Sequence, residues 1–75
     1  MSTILIIDDQ LTSRQVLKQL ASSIEENILA VDFANPVEAL RWTNDHAPDL
    51  VLVDYKMPEM NGIEFINQFR HNPAS

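Results

Sequence analysis

Two uninterrupted apolar tetrapeptides, Ile4-Leu5-Ile6-Ile7 and Leu50-Val51-Leu52-Val53, each run straight into acid, the first into Asp8-Asp9 and the second into Asp54. A strand with one wet face alternates apolar and polar residues, whereas a strand covered on both faces reads as a continuous apolar run. Both segments are therefore expected to be parallel strands with helices on either side. Placed side by side, their carboxyl ends share one edge of the sheet, where open parallel sheets bind their ligands. Three carboxylates brought together in this way repel one another, and an all-oxygen pocket of three acids suits Mg²⁺ or Mn²⁺.

The segments between these strands carry helical signals. Thr12 and Gln15 form a capping-box pattern, with Leu11 and Val16 as the flanking hydrophobic staple. Val16, Leu17, Leu20 and Ile24 recur at helical spacing and predict one buried face, with Arg14, Lys18 and Gln19 on the other side. After the polar turn Glu25-Glu26-Asn27, residues 28–34 are rich in β-branched and aromatic side chains and predict a short second strand. Asn35-Pro36-Val37-Glu38 reads as an N-cap, a proline at the first helical position and an acid three residues past the cap. That second helix is expected to run to about Asp45, with Pro48 as its stop and residues 50–54 as the third strand. Asn61 is placed to cap a third helix with Ile63, Ile66 and Phe69 facing inward and Asn72-Pro73 ending it. Strand and helix alternate three times with short connections, which predicts an α/β fold with a parallel sheet.

Composition narrows the function. The chain has 75 residues, 11 acidic against 5 basic, for a net charge of -6. No basic stripe is present, which disfavours nucleic acid and anionic membrane surfaces as partners. Without cysteine there is neither a disulfide nor a thiolate metal site, and no apolar run approaches the ~18 residues of a membrane span. A cytoplasmic protein is expected. At this length a domain buries only about 60% of its unfolded surface, so stability on its own is expected to be marginal.

Paired acids at a strand end, followed by Asp54-Tyr55-Lys56-Met57-Pro58-Glu59-Met60-Asn61-Gly62 after a later strand, resemble the receiver domain of bacterial two-component response regulators. The resemblance covers residues 1–75 and implies a flavodoxin-like three-layer fold, of which this chain is the N-terminal (βα)3 portion of a (βα)5 receiver. Strand order 2-1-3-4-5 is implied for the whole. It further implies that Asp54 accepts a phosphoryl group from a histidine kinase with Mg²⁺ present. Asp9 and Asp54 would bind the metal directly together with the backbone carbonyl of Lys56, and Asp8 mostly through a water. The Lys56 side chain lies at a position that in the family influences how long the phosphoryl group survives. The family also directs a Ser or Thr from the fourth strand and a Lys from the fifth at the phosphoryl group. Neither element is found in these residues, and a piece of a longer natural protein is expected.

Pro58 is read as stiffening the loop after Asp54, and Gly62 as permitting close backbone approach or a positive φ at the entry to the third helix. His46 is assigned to the dipole of the second helix rather than to a metal, and His71 to the surface. Trp42, Phe33, Phe65 and Phe69 are read as packing residues, Met57 and Met60 as gap fillers, and Glu25-Glu26 as a solvated turn. A strand-end Asp nucleophile is also used by metal-dependent phosphatases, but those carry a second Asp two residues on, where this chain has Lys56. With a single glycine the chain has no Gly-rich phosphate loop ending in Gly-Lys-Ser/Thr. The chain is thus expected to be a phosphoacceptor module rather than an enzyme. The alternative is an inactive half-receiver that interacts or dimerises through the open edge of its third strand, two copies pairing antiparallel into one six-stranded sheet.

Overall fold

The computed structural model describes residues 1–54, 56, 57 and 60–71. Its elements follow the expected alternation: β1 (Ser2–Ile7), α1 (Leu11–Ile24), β2 (Ile28–Phe33), α2 (Pro36–Trp42), β3 (Leu50–Val53) and α3 (Gly62–Arg70). The three strands form one parallel sheet in the order β2-β1-β3. β1 is therefore central, and its continuous apolar run is buried on both faces, from Ile4 at 5% exposed to Leu5, Ile6 and Ile7 at 0%. On one face Ile4 and Ile6 pack with Ala21 of α1, Leu17 and Leu52. On the other, Leu5 and Ile7 pack with Ala39, Phe65, Met57 and Met60, bordered by Phe33, Trp42, Ile66 and Phe69. Phe33, Trp42, Phe65 and Phe69 thus pack as their spacing suggested, and Met57 and Met60, read as gap fillers, are buried with them.

The register does the work that matters for the site. Ile7 lies opposite Val53, so the next residues along each strand, Asp8 and Asp54, leave the sheet side by side. The Asp54 N–H still donates to the Ile7 carbonyl at 2.9 Å, and the Asp8 N–H to Phe33 O at 3.1 Å, so both acids are anchored by sheet-type bonds. At the opposite end, Asp49 and Thr3 exchange two bonds, Asp49 N–H to Thr3 O and Thr3 N–H to Asp49 Oδ2, each 2.8 Å.

Several local expectations are corrected. No side chain caps α1: Gln10 holds the N-cap position in an extended conformation, and Thr12 and Gln15 lie inside the helix. The turn is made earlier, by Asp8, whose Oδ1 accepts the Gln10 N–H at 2.9 Å. Nor do Val16, Leu20 and Ile24 form a buried face; they are 51%, 58% and 70% exposed, as is Leu11 at 58%. Helical residues advance about 100° each. Arg14 and Lys18 reach Asp32 of β2, and Leu17 and Ala21 face the sheet, which leaves Val16, Leu20 and Ile24 on the flank turned away from β2. Among the described residues nothing covers that flank.

α2 ends at Trp42, short of Asp45, where Thr43, Asn44 and Asp45 continue as a turn with N–H bonds to Ala39, Arg41 and Trp42 carbonyls. Thr43 is fully buried and its hydroxyl donates to Leu40 O at 2.7 Å, a local bond that competes with continued helix. Asn35 caps α2 as predicted, its Oδ1 accepting the N–H groups of Val37 and Glu38. Asn61 and Glu64 form a complete capping box on α3. Gly62 follows as the first helical residue, buried and with negative φ, so close approach and not a positive φ is its role. Ile63 is 57% exposed, and Phe65 takes the fully buried position in its place. His46 stacks on Trp42 with ring centroids 4.4 Å apart and its Nδ1 lies 2.8 Å from Trp42 O, at the C-terminal end of α2. His71 is exposed. The Pro58 and Asn72-Pro73 assignments lie outside the described residues.

Arg14 and Lys18 were read as a polar outer face, but both grip Asp32, at 3.0 and 3.1 Å. Burial by itself pushes the Asp32 carboxyl up, but the hydrogen bonds and charges of Lys18 and Arg14 outweigh it and hold the group below its ordinary value. A carboxyl depressed in the folded state stabilises the fold above its unfolded pKa, and that contribution is lost as pH falls through the folded value. The unfolding free energy of the parent from urea titration is expected to exceed that of Asp32→Asn at pH 7 by about 0.2–1 kcal/mol for a partly exposed pair. The gap is expected to close on acidification below pH 3.8, the carboxyl's ordinary value. A gap that persists unchanged to pH 2 would contradict this.

Candidate acidic site

Asp8, Asp9 and Asp54 come together at the carboxyl edge of the sheet, each offering a carboxylate oxygen within 4.8 Å of the others. Asp8 and Asp54 are half-buried and Asp9 is exposed. Asp8 and Asp54 are each organised by a local bond: Asp8 Oδ1 accepts the Gln10 N–H, and Asp54 Oδ1 accepts the Lys56 N–H at 3.3 Å. Lys56 is exposed, two residues beyond Asp54. Among the described residues the ion pairs run only from Arg14 and Lys18 to Asp32, so no side-chain cation neutralises the three clustered acids.

The donor set fits a hard divalent cation. Three carboxylate oxygens already within 4.8 Å of one another are hard donors of the kind Mg²⁺ takes, directly or through its waters. Mg²⁺ commonly keeps several waters, so a few protein oxygens are enough. Beside the acids, Asp8, Thr12, Ser13, Val16 and Leu17 line an open hollow of about 370 Å³.

The three acids predicted from strand ends are thus the three that meet. What the sequence reading missed is the support behind them. Arg14 is only 13% exposed at its side chain; its Nε donates to Asp32 Oδ2 at 3.0 Å and its Nη1 to the backbone carbonyl of Asp8 at 2.8 Å. The available signal was Asp32 itself, a lone charge inside the apolar segment Ile28–Phe33.

Comparison with known proteins agrees with this geometry. Residues 4–75 match the response regulator receiver domain. The chain is 38% identical over 71 residues to the cyclic di-GMP phosphodiesterase response regulator RpfG of Xanthomonas campestris, covering 95% of this chain and 19% of that protein. It is 34% identical over 74 residues to the nitrate/nitrite response regulator NarL of Escherichia coli K12, covering 99% of this chain and 34% of that protein. Among solved structures, the response regulator domain of Thermotoga maritima CheB superposes with a TM-score of 0.85 at 28% identity, covering all of this chain and 56% of that one. The chemotaxis protein CheY4 of Vibrio cholerae gives 0.79 at 25% identity, covering 97% of this chain and 64% of that one. The chain thus spans one fifth to one third of these curated relatives and 56–64% of these solved domains. Its fold is the flavodoxin-like receiver fold. The chain belongs to the response regulator receiver family of two-component systems.

Proposed function

We propose that this chain is a phosphoacceptor module, not an enzyme, in which Asp54 receives a phosphoryl group from a histidine kinase in the cytoplasm. The observation that carries the reading is the convergence of Asp8, Asp9 and Asp54 within 4.8 Å at the strand ends, with no ion pair to them among the described residues. Asp8, Asp9, Asp54 and the Lys56 carbonyl would hold Mg²⁺ or Mn²⁺. The ion, when bound, neutralises charge on the transferring oxygens. An Asp54 carboxylate oxygen attacks phosphorus; the P–N bond of a phosphohistidine breaks, and the imidazole leaves with the electron pair. Asp8 and Asp9 hold the negative charge that keeps the cation beside Asp54.

The test is intact mass of the chain after incubation with Mg²⁺ and acetyl phosphate, in which a P–O bond breaks and acetate leaves. One added phosphoryl group is expected, and none when EDTA replaces the metal. These residues supply no Ser/Thr or Lys from further strands, and losing one such donor costs about 10²–10³ in rate, so slow uptake is expected. No adduct from a folded chain would reject the reading.

A second reading is favoured by the edge of β3. Leu50 is 48% exposed, and a groove of about 280 Å³ lined by Val53, Gly62, Ile63, Ile66, Asn67 and Arg70 runs beside the same strand. On the opposite face lie the exposed Val16, Leu20 and Ile24. An unpaired apolar edge is a template for another strand. Antiparallel pairing of β3 with a second copy requires opposed side chains to share a face, so the two-fold axis passes through a residue such as Val51 or Leu52. A concentration-dependent dimer is expected by sedimentation velocity, abolished by Leu52→Lys; a monomer at every concentration rejects this association.

A further inference from the structure

We infer that Arg14 is a positioning residue for the acidic site and sets its affinity for the cation; this rests on the metal-binding reading given above. The Asp8 carbonyl belongs to the peptide plane that joins Asp8 to Asp9. Holding that oxygen therefore orients both residues' departure from the backbone. The Asp8 N–H is fixed by Phe33 O and the Asp8 carboxylate by the Gln10 N–H. Asp9 has no such anchor: among the described residues no hydrogen bond or ion pair holds its exposed carboxylate. The peptide after Asp9 is held by the Gln10 N–H on Asp8 Oδ1, and the peptide before it by the 2.8 Å bond from Arg14 Nη1 to Asp8 O, the contact that ties this turn to a side chain outside it.

Asp32 completes the device. It takes the guanidinium through Nε at 3.0 Å, while its other oxygen takes Lys18 Nζ at 3.1 Å. This leaves Nη1 directed at the Asp8–Asp9 peptide while the guanidinium's ion pair is made with Asp32 and not with an acid of the cluster. The planar guanidinium spans two acceptors at fixed angles, which a lysine ammonium cannot do. Groups that orient metal ligands from behind typically change metal affinity by about 10–100-fold when replaced.

The experiment is calorimetric titration with Mg²⁺ alone, at pH 7, of the parent, Arg14→Lys, Arg14→Gln and Lys18→Ala, each shown to be folded by circular dichroism. Lys18→Ala loses a contact to Asp32 without touching the loop, so it controls for stability. The Arg14 variants are expected to raise the Mg²⁺ Kd at least about tenfold, with Lys18→Ala within twofold of the parent, and to shift the Asp9 amide resonance. Parental affinity in a folded Arg14 variant would overturn the proposal, as would an equal loss in Lys18→Ala. A parent that binds no Mg²⁺ would overturn the metal-binding reading and this proposal with it, an outcome distinct from a parent that binds and an Arg14 variant that binds equally.

Discussion

Asp54→Asn is expected to abolish phosphoryl uptake from acetyl phosphate altogether, whereas Asp8→Asn and Asp9→Asn are expected to slow it and to be partly rescued by raising Mg²⁺. The difference lies in what each group contributes. A carboxamide offers no anionic oxygen to attack phosphorus, so replacing the nucleophile leaves no route. Asp8 and Asp9 contribute charge, and removing one leaves two carboxylates in a cluster that spans 4.8 Å. Attraction for the cation falls while the attacking oxygen is unchanged. Time courses of intact mass at two Mg²⁺ concentrations separate these cases. Continued mass gain by Asp54→Asn would locate the phosphoryl group elsewhere and reject Asp54 as acceptor; loss in Asp9→Asn that no Mg²⁺ concentration restores would reject the charge-only role.

Phe65→Ala is expected to unfold most of the chain at 25 °C. Phe65 is fully buried, packed among Leu5, Ile7, Ala39, Met57 and Met60 and stacked on Phe69 at 6.2 Å. Among the described residues it is the largest fully buried side chain, and with Ile66 and Phe69 it packs α3 on its face of the sheet. Truncating a buried phenylalanine costs about 3–5 kcal/mol. At about 0.05–0.15 kcal/mol per residue, a chain of this length has roughly 4–11 kcal/mol in total. The loss equals the whole stability at the low end of that range, the end expected of a short chain whose Val16, Leu20 and Ile24 are left exposed. Far-UV circular dichroism with a urea titration reads it directly; a cooperative transition within about 1 kcal/mol of the parent would show that the α3 face contributes little to holding the fold. Ile63→Ala, at a position 57% exposed, is the matched control and is expected to change little.

The acids of the site were legible in the sequence because strand ends are marked by the sharp passage from apolar run to charge, and because a parallel sheet collects its strand ends on one edge. Asn35 and Asn61 were legible as caps because a cap is a local exchange of bonds within four residues. The face of α1 was not. Four apolar residues at helical spacing define a stripe, but a stripe does not say how many strands lie beneath it. Here Leu17 and Ala21 meet the sheet, while Val16, Leu20 and Ile24 are exposed beside a sheet that ends at β3.

Arg14 makes the same point for function. Its distance along the chain from Asp32 is 18 residues, and nothing in the spacing of either predicts that one guanidinium joins β2 to the Asp8 carbonyl. Local sequence determined the strands, the caps of α2 and α3, and the identity of the three carboxylates, since these depend on neighbours a few residues away. The tertiary structure alone decided which apolar face is covered and which charge stands behind the acids. Both depend on strand order and register, and those arise when segments far apart in the chain bury their surfaces together.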